Sequence, residues 1–130
     1  MIVDSSAIVA ILRGEPEAAS CSLALETASI CRISAVNFVE ASIVVDSNRD
    51  PVLSRRFDEM VSRTEIMVET VTLTQARIAR QAYRDFGKGS GHPARLNFGD
   101  CFSYALAKEF DEPLLYIGSD FSETDISPAR

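Results

Sequence analysis

The sequence predicts an α/β protein, a three-layer α/β/α sandwich around a short parallel sheet. Short β-compatible runs alternate with pairs of helical segments in the order β-α-α-β-α-α-β-α-α-β. Strands separated by helices pair in parallel, with helices on both faces. The chain has 130 residues, 46% hydrophobic and 25% charged, which suits one ordinary domain able to bury a core without disulfides or a structural metal. No repeat, low-complexity tract or linker divides it, so residues 1–130 are expected to form a single domain.

Met1–Asp4 is a short apolar run ending in an acid. Ser5 can cap the helix SAIVAILRG, which should stop near Gly14. Glu15–Ala28 opens with Glu-Pro-Glu, where a proline is tolerated and acids suit the helix dipole. Ser29–Ile33 is β-compatible, and Ser34 then caps the helix AVNFVEASIVVDS. Asp50-Pro51 begins a helix to about Arg63, and the alternating EIMVETV of 65–71 reads as a strand. Thr72 or Thr74 starts a long helix through Phe86, and the glycine-rich GKGSGHP must be a loop. Asn97 caps the last helix, FGDCFSYALAKEF, Leu114–Ile117 is a final strand, and GSDFSETDISPAR is an irregular tail.

Several function classes are excluded. Cys21, Cys31 and Cys101 are odd in number and lack metal-ligand spacing, which argues for core thiols in a reducing compartment. The N-terminus has no positively charged segment before its apolar run, and no run is long enough for a membrane span, so a cytoplasmic protein is expected. The net charge of −6 argues on its face against nucleic acid, although distribution matters more than the sum.

Most of the nineteen acids fall at helix ends or on polar faces, but four do not. Asp4 ends the first strand, and ligands of open α/β sheets bind just beyond strand C-termini, where the strand order reverses. It could equally cap a helix. Glu40 is mid-helix, with Val36, Ile43 and Val44 three and four residues away, so helical spacing puts its carboxylate on an apolar stripe that demands a partner. That partner could be an arginine. Asp100 is the only charge in its helix before Lys108, although Asn97-x-x-Asp100 also resembles a capping box. Asp120 follows the last strand as Asp4 follows the first, or serves as an Asx-turn residue.

A doubly wound sheet would bring all four to one rim. Clustered carboxylates repel and hold protons unless a cation joins them. An oxygen-only site suits Mg²⁺, with Mn²⁺ as an alternative, and the lone His92 and scattered cysteines disfavour zinc. Carboxylate-held Mg²⁺ can activate a water against a phosphodiester without a Ser, His or Cys nucleophile. There is no G-x-S-x-G elbow, P-loop or G-x-G-x-x-G motif to suggest otherwise.

Four segments in order, MIVDSSAIVAIL, ISAVNFVEAS, LNFGDCFSYALAK and PLLYIGSDFSETDI, resemble those of PIN-domain proteins, specifically VapC-type ribonuclease toxins of bacterial toxin–antitoxin pairs. The resemblance spans essentially the whole chain, and the third segment is its most specific part. It implies a PIN-like fold and a Mg²⁺-dependent endoribonuclease acting on structured RNA such as transfer or ribosomal RNA. Asp4, Glu40, Asp100 and Asp120 match the family's metal-binding acids, with Asp4 and Asp100 the most direct ligands. The resemblance further implies a homodimer and a cognate antitoxin whose C-terminal segment wraps the domain. Gly118 departs from the acid, Thr or Ser that some members carry two residues before the fourth acid, which makes Asp125 a candidate substitute.

Arg77, Arg80, Arg84 and Lys88 recur at helical spacing and, with Arg95, place five of the thirteen basic residues within 77–95. This stripe is a candidate RNA contact, or else a solvated helix face. Arg49, Arg55, Arg56 and Arg63 form a looser second group. Two rival readings stand beside the nuclease. A Mg²⁺-dependent phosphatase or a phospho-receiver would want Asp-x-Asp after the first strand, or an Asp ending the third, and neither is present. A non-enzymatic binding module would use its acids only as helix caps.

Overall fold

The computed structural model describes residues 1–130. Four parallel strands, β1 (Ile2–Val3), β2 (Arg32–Ser34), β3 (Met67–Glu69) and β4 (Leu114–Leu115), form a sheet ordered β3-β2-β1-β4. The register pairs Ile2 with Arg32 and Leu114, Val3 with Leu115, and Arg32 with Met67. Six helices fill the connections: α1 (Ser5–Arg13), α2 (Ala18–Thr27), α3 (Ala35–Asp46), α4 (Pro51–Arg63), α5 (Leu73–Phe86) and α6 (Phe98–Phe110). A 3₁₀ turn follows β4 at Phe121–Glu123.

Alternation along the strands creates two cores. Ile2 and Leu114 face α5 and α6, joining Ala79, Leu96 and Leu106, while Val3, Ile33 and Leu115 face the other way and pack with Ile8, Cys21, Ala41, Val45 and Phe57. Crossovers between parallel strands are right-handed, so connections stepping in opposite directions from β1 cover opposite faces of the sheet. The steps β1-β2-β3 lay α1–α4 on one face, and the return past β1 to β4 lays α5 and α6 on the other. The reversal of direction opens a crevice beyond the carboxyl ends of β1 and β4.

The element order is the one the sequence predicts, with differences at the ends. α1 is capped by Asp4, not Ser5: Asp4 keeps an extended backbone and its side chain accepts from the Ser6 amide. α2 starts at Ala18 because Glu15 precedes a proline, which disfavours helical geometry there. The strands are shorter than their apolar runs. β2 is shifted to Arg32–Ser34, and its last residue caps α3. β3 is an edge strand, with Met67 and Val68 about half exposed. The glycine-rich loop is pinned where Leu96, fully buried, pairs with Gly87.

Candidate active site at the carboxyl edge of the sheet

Asp4 leaves β1 at the crevice and is only 3% exposed. One carboxylate oxygen accepts from the Ser6 amide (2.9 Å) and the Ser6 hydroxyl (2.5 Å), and the other accepts from the Ser103 hydroxyl (2.5 Å). Ser6 Oγ in turn accepts from the Ile117 amide at 3.0 Å, which fastens the loop after β4 to the start of α1. Ser103 is fully buried and lies three residues beyond Asp100, so the two share one face of α6. That face is turned toward Asp4.

Asp100 occupies the first turn of α6 in a complete capping box. Its side chain accepts from the Asn97 amide (2.8 Å), and the Asn97 side chain accepts from the Asp100 amide (2.9 Å). Burial above all, joined by the charges of Asp4, Asp120 and Glu40, pushes the Asp100 carboxyl up to about 7 against the pull of the Asn97 hydrogen bond. The capping role and the clustering therefore coexist.

Glu40 is not salt-bridged to an arginine. Its carboxylate accepts from the Ser5 hydroxyl at 2.6 Å and, more weakly, from the Asn37 amide at 3.4 Å. The stripe it shares with Val36, Ile43 and Val44 is partly solvent-facing, because α3 buries the neighbouring stripe of Asn37, Ala41 and Val45. Glu40 is half-buried because the first turn of α6 covers it. A Cβ at Gly99 would lie 2.5 Å from Glu40 Oε1, so the glycine is what admits the carboxylate there. Asn37, fully buried, donates to the Gly99 carbonyl at 2.9 Å and ties α3 to α6.

Asp120 is exposed just before the 3₁₀ turn and makes no side-chain cap bond to it. The segment is anchored by Phe121, buried and packed on Tyr116 with ring centroids 5.1 Å apart. Gly118 has φ +100°, a conformation that disfavours the Ser, Thr or acid of the wider pattern. Asp125 is spent elsewhere: it accepts from the Tyr104 hydroxyl (2.7 Å) and the Lys108 ammonium (3.0 Å). The Tyr104 bond above all holds the Asp125 carboxyl below its usual range.

The four acids thus come from four separate chain segments and share one electrostatic field centred on Asp100. No three of them converge closely enough to grasp one ion together. Serine, asparagine and backbone donors hold three of them, and mutual repulsion favours such spreading. The donor set still fits a hard divalent cation, being all oxygen and enriched in charge that a cation would relieve. Sequence reading missed Ser6, Ser103, Ser5 and Asn37; the spacings Asp100-x-x-Ser103 and Asn37-x-x-Glu40 were the available signal.

Arg77, Arg80 and Arg84 are exposed along α5, whereas Lys88 falls outside the expected helical stripe because the helix ends at Phe86 and Gly87 is extended; none of the four joins an ion pair, while Arg55 of the looser group pairs with Glu59 at 3.5 Å. Two large surface grooves are lined chiefly by α1, α2, α4 and the segments leading to β2 and β3, and do not include the four acids.

A family model described as the PIN domain matches residues 1–127. The chain is 57% identical over 129 residues to Ribonuclease VapC28 of Mycobacterium tuberculosis, covering 99% of this chain and 97% of that one. It is 53% identical over 129 residues to Ribonuclease VapC42 of the same species, covering 99% and 98%. Among solved structures it is similar to VapC20 of M. tuberculosis, described as a sarcin-ricin loop cleaving toxin, with TM-score 0.73 and 16% identity over 96% of this chain and 95% of that one. It is also similar to a toxin–antitoxin complex from Klebsiella pneumoniae, with TM-score 0.68 and 16% identity over 93% and 89%.

Proposed function

Because the chain belongs to the PIN-domain family, among its VapC-type ribonucleases, we propose that it is the toxin of a toxin–antitoxin pair and cleaves structured RNA at Asp4, Glu40, Asp100 and Asp120. The observation that carries this reading is the field at Asp100, where a half-buried carboxyl feels three other carboxylates at the crevice of the sheet. The acids lie outside the large grooves, as befits a polymeric substrate.

Asp4 and Asp100 would hold a Mg²⁺ ion, or Mn²⁺ in its place, with Glu40 and Asp120 completing the shell. When bound, the ion supplies a water of lowered pKa and neutralises charge on the phosphodiester. The protein's own part is positioning. Ser6 and Ser103 fix the Asp4 carboxylate by both oxygens, and the Asn97 amide fixes one oxygen of Asp100 and leaves the other free. Ser5 and Asn37 aim Glu40 across Gly99. Arg77, Arg80, Arg84 and Lys88 are suited to hold the RNA backbone.

The partners that fit are an antitoxin with a cationic segment, favoured by the net charge of −6 and the acid cluster, and a second copy of the chain. Val39 and Ile43, one turn apart on α3 and 52% and 63% exposed, offer an apolar strip that self-association would cover. Three buried, unpaired cysteines suit the cytoplasm, and no helix is long and apolar enough to cross a membrane.

The purified protein should cleave RNA with Mg²⁺ or Mn²⁺, stop with EDTA, and lose activity in Asp4→Asn and Asp100→Asn. Activity that survives both substitutions or EDTA rules out this mechanism.

A further inference from the structure

We propose that the cleft between α5 and α6 binds one unpaired nucleobase of the RNA, stacked against Phe98. The inference rests on the ribonuclease reading above and adds a specificity subsite to it.

Phe98 is the first residue of α6, two before Asp100, and is 71% exposed. No other large apolar side chain of the protein is so exposed. Its ring stands edge-on to Phe102, centroids 4.9 Å apart. Across from it, α5 contributes Tyr83, 46% exposed, and Arg80, while Ala79 and Cys101 form the floor. The open-sided space between them is about 220 Å³, below the roughly 300–1,000 Å³ of pockets for drug-sized molecules and suited to a single ring system.

Charge selects RNA as the occupant. Arg77, Arg80 and Arg84 run along the helix that walls the cleft, and none has a carboxylate partner. A nucleotide whose base enters the cleft would carry its phosphates past those guanidinium groups. A second copy meeting this face about a two-fold axis would instead set the arginines of both copies against one another. Phe98, Cys101 and Phe102 line the cleft from a face of α6 other than the one that carries Asp100, so a base held there lies round the first turn of the helix from the acids. Proteins that read RNA loops use such aromatic platforms for splayed bases.

The test uses Asp100→Asn protein with Mg²⁺ and a short single-stranded RNA in which a fluorescent adenine analogue replaces one base at a time. At one position the fluorescence should be quenched on binding. Adding Phe98→Ala should abolish that quench and weaken binding by roughly 5- to 150-fold, and Phe98→Trp should restore both. An abasic nucleotide at that position should weaken binding to the Phe98-containing protein and leave the Phe98→Ala protein little changed. A quench that Phe98→Ala leaves intact, or RNA binding with no quenched position, overturns the proposal. So does a change in oligomeric state when Phe98→Ala is sedimented without RNA, which would assign the face to a second copy. Metal-dependent cleavage by the unsubstituted protein is read separately. Its absence overturns the ribonuclease reading, whereas cleavage combined with an unmoved quench overturns only the subsite. Phe98 is too exposed to be needed for folding, and circular dichroism of Phe98→Ala checks this.

Discussion

The Asp4 carboxylate accepts three hydrogen bonds, one to cap α1 and two from serine hydroxyls. Ser103→Ala removes the only contact to its Oδ1 from α6. If Asp4 holds the ion, this variant should need more Mg²⁺ for half-maximal cleavage and lose about 10- to 100-fold in activity. An unchanged Mg²⁺ requirement would reduce Ser103 to a packing residue. Asp100 gives a second prediction, read in EDTA. Its folded carboxyl titrates near 7 and its unfolded one near 4, so between those values the folded protein binds the extra proton. Its contribution to stability is present in full below about pH 4 and is lost as pH rises toward 7. The urea midpoint of the unsubstituted protein should fall across that window relative to Asp100→Asn, whose side chain does not titrate. At this scale Asp4 and Asp100 were legible, because a strand end and a helix start are visible in one dimension. Ser103 and Asn37 were not, since their importance depends on which helix face meets β1 and α6.

Arg32 holds the opposite, amino-terminal side of the sheet. From β2 its Nη1 reaches Glu69 of β3 at 2.7 Å, its Nε reaches Glu112 ahead of β4 at 3.1 Å, and its guanidinium lies 4.5 Å over the Phe110 ring. The amino group of Met1 also meets Glu112. Strands of two or three residues make few ladder bonds, so these side chains supply alignment that pairing alone does not. Arg32→Ala leaves two half-buried carboxylates without their guanidinium partner. It should lower unfolding free energy by about 1–3 kcal/mol, seen as a lower urea midpoint at unchanged slope. Helix ends were read well where caps mark them: Ser34, Asp50, Thr72 and Asn97 all cap as expected. Strand ends were read too long because a strand stops where its partner stops, and 65–71 carries no sign that its neighbour offers only three residues.

For the whole molecule, the distribution of charge outweighs its sum. A protein of net charge −6 keeps three unpaired arginines on α5, with Lys88 just beyond its end, and gathers carboxylates at the crevice. Arg80→Glu combined with Arg84→Glu should weaken RNA binding and flatten the slope of log affinity against log salt by at least about 0.7 per arginine, with the fold intact by circular dichroism. Unchanged affinity and slope would leave α5 a merely solvated face. The parallel sheet under two helical layers followed from the order of elements alone. The strand order β3-β2-β1-β4 did not, because nothing in the sequence marks the third crossover as the one that doubles back past β1.

The sheet separates the interior into two halves, one with a single free thiol and the other with two. Cys101 lies with α5 and α6, while Cys21 and Cys31 lie under α1–α4. The molecule therefore carries internal clocks for its own breathing. A thiol reagent can reach each sulfur only when its half opens, so pulse labelling followed by mass spectrometry reports the two openings separately without any engineered probe. Equal labelling rates at Cys101 and Cys21 would mean that the halves open together. Faster labelling at Cys101 would mean that the layer bearing Asp100 loosens first.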